Sequence, residues 1–211
     1  MISHRTQLSV CFGSQGSLQE DQVKELANGL EQSGYKFLWS LCKPSPENNT
    51  AGFPNEYMNY QDVLLEGFLD RTASIGRVIG LVSQLDILSL AAVSGFVSHC
   101  GWNSVLESIW CGVPIATRHL HSHQQLNAFQ LVQELGLAVA ITVDYQERRK
   151  NQAPITTEEV EKGIRMVMDS DSEVRQRVKE VRDKSRISMT EGGSSYKSLL
   201  DFIDHLLLNT Y

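Results

Sequence analysis

The segment Val93 to Ser98 reads as a buried strand, and it runs directly into the turn His99-Cys100-Gly101. A helix is predicted to start at Asn103 or Ser104, Gly112-Val113-Pro114 stops it, and Ile115 to Thr117 is the next strand. The rest of the chain repeats this pattern. Further strands are predicted at Leu8 to Phe12, Tyr35 to Leu41, Val78-Ile79 and Ala138 to Val143. Ser17 and Glu20 have capping-box spacing and open a helix running to Gly34, with Leu18, Val23, Leu26, Ala27 and Leu30 on one face. Shorter helices are expected at Gly67 to Ser74 and after Gln84, and a longer one at Gln124 to Leu135. Strands and helices alternating at this spacing predict an α/β fold, a Rossmann-like parallel sheet with helices on both faces. Ligands bind such sheets at the carboxyl ends of their strands.

Two polar stretches set the organisation. Pro44 to Tyr60 reads as a long surface loop, and Asp144 to Gln152 as an exposed linker. The sheet domain is therefore expected over 1–150, with a helical segment over 151–211 that packs on it or crosses from it. Within that segment Thr156 and Glu159 cap a helix to Met168, and Ser172 to Ser188 is charge-dense and reads as a solvated face. Ser194 to Leu208 forms a last helix carrying Leu199, Leu200, Phe202, Ile203, Leu206 and Leu207.

A length of 211 residues suits one domain, or at most a domain with a helical appendage. The net charge of −6 argues against a nucleic-acid surface. No apolar run reaches the about eighteen residues that span a bilayer, and Met1-Ile2-Ser3-His4-Arg5 lacks a secretory apolar segment, so a cytoplasmic location and no membrane insertion are expected. Cys11, Cys42, Cys100 and Cys111 have no metal-site spacing and are expected to be reduced core thiols.

The turn at His99 has the chemistry of an anion site. The first N–H groups of a helix lack partners within it, and the aligned peptide dipoles add partial positive charge there. His99 adds a donor, Gly101 allows close backbone approach, and Asn103 and Ser104 offer hydroxyl and amide contacts or plain N-caps. Glu107, one turn further on, can accept two hydroxyl hydrogen bonds or compensate the helix dipole.

Leu81 to Gln124 resembles the signature box of plant UDP-dependent glycosyltransferases, the secondary-product family. His99-Cys100-Gly101-Trp102-Asn103-Ser104, Glu107 and Gly112-Val113-Pro114 match residue for residue, and Gln84 and Gln124 fall where the family has glutamines. Cys11-Phe12-Gly13-Ser14, Glu31 to Trp39 and Gly192 to Ser195 extend the resemblance. It implies the carboxy-terminal half of a GT-B type glycosyltransferase, binding a UDP-sugar as donor substrate with no metal or other cofactor. His99, Asn103, Ser104 and Ser14 would then hold the diphosphate beside the Gly101 backbone. Glu107 would take the ribose, Gln84 the uracil edge, and Leu81 with Val82 the base. Trp102, with a buried core role as its rival, would join His123 and Gln124 on the sugar side.

The chain departs from the family at the base and sugar. Leu81 stands where a tryptophan stacks on uracil, and losing such stacking typically costs about 1–3 kcal/mol. Arg118-His119 replaces a Trp-Pro pair, and His123 replaces an acidic sugar ligand. Arg118 is a candidate partner for an anionic sugar. The histidines at 119, 121 and 123 lack a nearby acidic partner and carry no metal assignment.

The resemblance also implies transfer of a sugar, a hexose in most members, to a hydroxyl of a small acceptor. The family's histidine base and its aspartate lie on an amino-terminal half that this sequence does not match. The chain by itself is therefore expected to be inactive without a complementing half. A non-catalytic or degenerate nucleotide-binding domain is the rival reading. A dinucleotide oxidoreductase is discounted, because Gly13-Ser14-Gln15-Gly16-Ser17-Leu18 lacks the required glycine pattern.

Overall fold

The computed structural model describes residues 7–13, 18–43, 56–120, 122–141 and 155–208. Six strands, β1 (Gln7–Cys11), β2 (Lys36–Ser40), β3 (Gly76–Ile79), β4 (Val93–Ser98), β5 (Ile115–Thr117) and β6 (Ala138–Ala140), form one sheet. Every pairing is parallel and the order is β3-β2-β1-β4-β5-β6. The chain winds one way from β1 and the other way from β4. The carboxyl ends of these two strands therefore border the crevice where such sheets take ligands.

The described fold also holds eight α-helices: α1 (Glu20–Ser33), α2 (Phe68–Arg71), α3 (Gln84–Ser89), α4 (Trp102–Cys111), α5 (Ser122–Phe129), α6 (Thr157–Met168), α7 (Glu173–Met189) and α8 (Ser194–Leu208). Alternating β4 side chains feed the two faces of the sheet. Val97 joins Leu26, Leu30, Val160 and Ile164 of α1 and α6, whereas Phe96 joins Leu88, Val105, Ala128 and Val178 of α3, α4, α5 and α7. All six residues of β4 are buried, so this strand is fixed from both sides.

The capping box of α6 forms as expected, with Thr156 and Glu159 each satisfying the other's backbone N–H. Glu25 of α1 adds to it by accepting from the N–H and hydroxyl of Thr157, both at 2.7 Å. Of the expected box at Ser17 and Glu20, Ser17 lies outside the described residues. Glu20 is the first residue of α1, Gln19 caps it without a side-chain bond, and buried Leu18 anchors the entry instead. The helix expected at Gln124 to Leu135 is α5 followed by a π-helical turn over Gln130–Glu134.

Among the charged side chains of α7 only Arg175 is buried. That guanidinium is buried and donates to the carbonyls of Ser94, Val167 and Asp169 at 2.7, 2.7 and 2.9 Å, stapling α7 to β4 and the end of α6. Arg186 holds the far end of α4, donating to the Trp110 carbonyl with its guanidinium 5.5 Å from that ring's centroid. All four cysteines are unbridged, with Cys111 half-buried and the rest buried. No described helix is long and apolar enough to cross a membrane.

Candidate functional site

The turn after β4 is built from within. Cys100 adopts a left-handed backbone, φ 62°, which a non-glycine residue holds only against a conformational cost. Ser98 Oγ accepts from the Cys100 N–H at 3.2 Å, and Asn127 Nδ2 of α5 donates to the Cys100 carbonyl at 2.9 Å. The chain thereby reverses within one residue and delivers Gly101 as the N-cap of α4. Helix α4 consequently begins at Trp102, earlier than the predicted Asn103 or Ser104. Those two residues lie within its first turn, and neither is the cap.

His99 lies between two glycines. A Cβ at Gly13 would stand 2.8 Å from His99 Cε1, and one at Gly101 would collide with Nε2. Only hydrogen at both positions leaves room for the ring. The imidazole is therefore placed at the ends of β1 and β4 beside the open N-terminus of α4. At the other end of α4 Gly112 takes φ 72° and its N–H caps the carbonyls of Ser108 and Ile109.

Beside this turn three polar side chains from two helices meet. Gln84 Nε2 of α3 donates to Glu107 Oε2 at 2.6 Å and to Ser104 Oγ at 3.1 Å, and the Ser104 hydroxyl is 3.2 Å from Gln84 Oε1. The carboxamide expected at the uracil edge is thus joined to the carboxylate expected to take the ribose. Leu81 and Val82, 45% and 36% exposed, follow β3, and a narrow cleft between Val82, Gln84, Cys11 and Ser40 runs from them across the strand ends.

The remaining candidates separate. Trp102 is 58% exposed, which removes its core reading. Gln124 is buried, and its Oε1 accepts from the Leu120 N–H at 2.8 Å, so its carbonyl oxygen shapes the loop after β5. His123 is in the first turn of α5. Ser14 and the side chain of His123 lie outside what the structure describes. Arg118 is 4% exposed, with Nη1 donating to the His119 carbonyl at 2.9 Å. Ser98 and Asn127, which form the turn, carried no sequence signal of that role. Among the described residues no group of three or more His, Cys, Asp or Glu side chains is placed to hold a metal ion.

A family profile described as UDP-glucoronosyl and UDP-glucosyl transferase matches residues 8–176. The chain belongs to the UDP-glycosyltransferase family. UDP-glycosyltransferase 71A15 of Malus domestica is 56% identical over 197 residues, covering 93% of this chain and 41% of the relative. UDP-glucose flavonoid 3-O-glucosyltransferase 6 of Fragaria ananassa is 55% identical over 197 residues, covering 93% of this chain and 40% of the relative. A crystal structure of a UDP-glycosyltransferase from Siraitia grosvenorii in complex with UDP superposes with TM-score 0.87 and 50% identity, over 96% of this chain and 46% of that one. The chain thus spans less than half the length of these UDP-glycosyltransferases, and its fold is the carboxy-terminal half of the GT-B architecture.

Proposed function

We propose that this chain is the donor-binding half of a plant UDP-glycosyltransferase that transfers a sugar, a hexose by family, from a UDP-sugar to a hydroxyl of a small secondary metabolite. The observation that carries the reading is the convergence, at the β1–β4 crevice, of the His99 ring, the N-terminus of α4 and the Gln84–Ser104–Glu107 cluster. The N–H groups of Trp102, Asn103 and Ser104, with His99 and Ser14, receive the diphosphate. Glu107 accepts from the ribose hydroxyls, and Gln84 orients its carboxylate through the 2.6 Å bond. Leu81 and Val82 cover the base; Trp102, His123 and Gln124 border the sugar.

In the reaction the acceptor hydroxyl attacks the anomeric carbon and the diphosphate leaves. This half contributes by stabilising the charge that develops on the departing diphosphate, with donors already in place and no metal ion. The base that takes the acceptor proton is assigned to a complementing half. A cytoplasmic setting suits four unbridged thiols. Leu81, an exposed aliphatic side chain in the base position, favours a second reading in which the nucleotide site has decayed.

Calorimetric titration of the 211-residue chain with UDP, in the presence of EDTA, separates the two. Saturable heat is expected, with Glu107→Gln weakening UDP about tenfold or more by removing a charge-assisted acceptor. An intact fold that gives no saturable heat, or a Glu107→Gln variant that binds as the parent does, overturns the donor-binding reading.

A further inference from the structure

Helix α5 reaches the turn after β4 through Asn127. Asn127 Nδ2 donates to the Cys100 carbonyl at 2.9 Å from 27 positions downstream. Four facts make that bond more than a packing detail. Cys100 is the one described non-glycine residue with positive φ, so the turn it forms is conformationally costly. The turn ends at Gly101, whose extended backbone sets where α4 begins and so where its N-terminal N–H groups point. His99 immediately precedes Cys100, and its ring fills the space that a Cβ at Gly13 or Gly101 would need, so rotation of the turn moves the ring. Within the turn itself the Ser98 hydroxyl accepts from the Cys100 N–H and the Ser98 carbonyl from the Cys100 thiol, and neither bond engages the Cys100 carbonyl, which Asn127 holds.

We propose that Asn127 is a positioning residue that latches the left-handed Cys100 turn and thereby presets the anion site for the donor's diphosphate. The inference rests on the donor-binding reading above. The amide is suited to the task because its donating nitrogen is neutral: it stabilises the carbonyl without adding charge beside the diphosphate. Aspartate has the same shape, lacks the donor, and brings a negative charge toward both the carbonyl and the phosphate. The helix that carries Asn127 also carries Gln124, whose Oε1 holds the Leu120 N–H. One helix therefore fastens the loops after β4 and after β5, which are neighbouring strands.

The test compares the 211-residue chain with Asn127→Ala and Asn127→Asp by three readouts. These are affinity for UDP, affinity for uridine, and backbone amide exchange at residues 100–104 without ligand. The parent is expected to bind UDP more tightly than uridine. Both variants are expected to lose about tenfold of that margin, the aspartate more, with uridine affinity unchanged. Amide exchange over 100–104 is expected to rise by a similar factor while the sheet stays protected. Glycine holds a left-handed backbone without the cost, so Cys100→Gly in the Asn127→Ala background is expected to recover part of the UDP margin. A structural role alone would lower uridine and UDP together and would not respond to Cys100→Gly.

Unchanged exchange at 100–104 in both variants overturns the latch whatever the ligand data show. A parent that binds neither ligand defeats the donor-binding reading, and the exchange data then judge the latch alone. A variant too unstable to measure is replaced by the Asn127→Ala, Cys100→Gly pair, in which an undiminished defect overturns the proposal.

Discussion

Cys100 is fully buried at a turn that its neighbours build, and burial pushes its thiol from the ordinary 9.0 up to about 12, with a smaller opposing pull from the Arg118 backbone N–H. Burial raises the thiols of Cys11, Cys42 and Cys111 as well. Below pH 9.0 both folded and unfolded chains keep the Cys100 proton, and the group contributes nothing to pH dependence. Between 9.0 and about 12 the unfolded chain releases that proton and the folded chain retains it. The unfolded state then binds fewer protons, so stability falls as pH rises, by up to about 1.4 kcal/mol per pH unit for this group. Urea unfolding midpoints are expected to drop between about pH 8 and about pH 10. Cys100→Ala should shrink the drop, and equal drops in variant and parent would place its origin elsewhere. The same burial explains why Cys100, adjacent to the anion site, takes no part in its chemistry: a thiol held protonated is a poor nucleophile.

The element that decides the site is the junction of β4 and α4, and the sequence disclosed it unevenly. Val93 to Ser98 and Ile115 to Thr117 were legible to the residue because uninterrupted runs of small and apolar side chains can only be central strands here. The Thr156–Glu159 box was legible because its two bonds are local. The start of α4 was not, since nothing in the sequence marks a cysteine for a left-handed backbone. Nor were the contacts of Gln84 with Glu107 and of Asn127 with Cys100, which join residues 23 and 27 apart and exist only once helices pack. The burial of Arg175 is not legible either, because helical charge density says nothing of which guanidinium turns inward. The junction itself can be tested through Gly101. Its φ of −60° and ψ of 143° suit any residue, so alanine there tests space and not backbone freedom. Its Cβ would collide with His99 Nε2, and the ring must move. Gly101→Ala is expected to weaken UDP about tenfold, with helical circular dichroism and the thermal midpoint little changed. Undiminished UDP affinity would mean that the place of the ring between the two glycines does not matter for the diphosphate.

At the scale of the molecule the two sheet faces are closed but α8 is not. It packs on α7, and Leu199, Phe202, Ile203 and Leu206 are all exposed along it. Apolar surface of that kind marks a docking site or an aggregation liability. The proposed chemistry also needs a base for the acceptor hydroxyl, assigned above to a complementing half, which typically contributes about 10²–10⁴-fold in rate. One complementing half would meet both needs, and they can be told apart. Co-expression of this chain with the amino-terminal half of a relative is expected to give a co-purifying complex that transfers glucose from UDP-glucose to a flavonoid hydroxyl. The 211-residue chain alone should bind UDP and transfer nothing. Phe202→Asp and Leu206→Asp, far from the diphosphate turn in sequence and on a different helix, should weaken co-purification and transfer together while UDP affinity of the separate chain stays the same. Transfer by the chain alone would put the base within this half. Full co-purification of the aspartate variants would show that α8 is not the surface by which the halves meet.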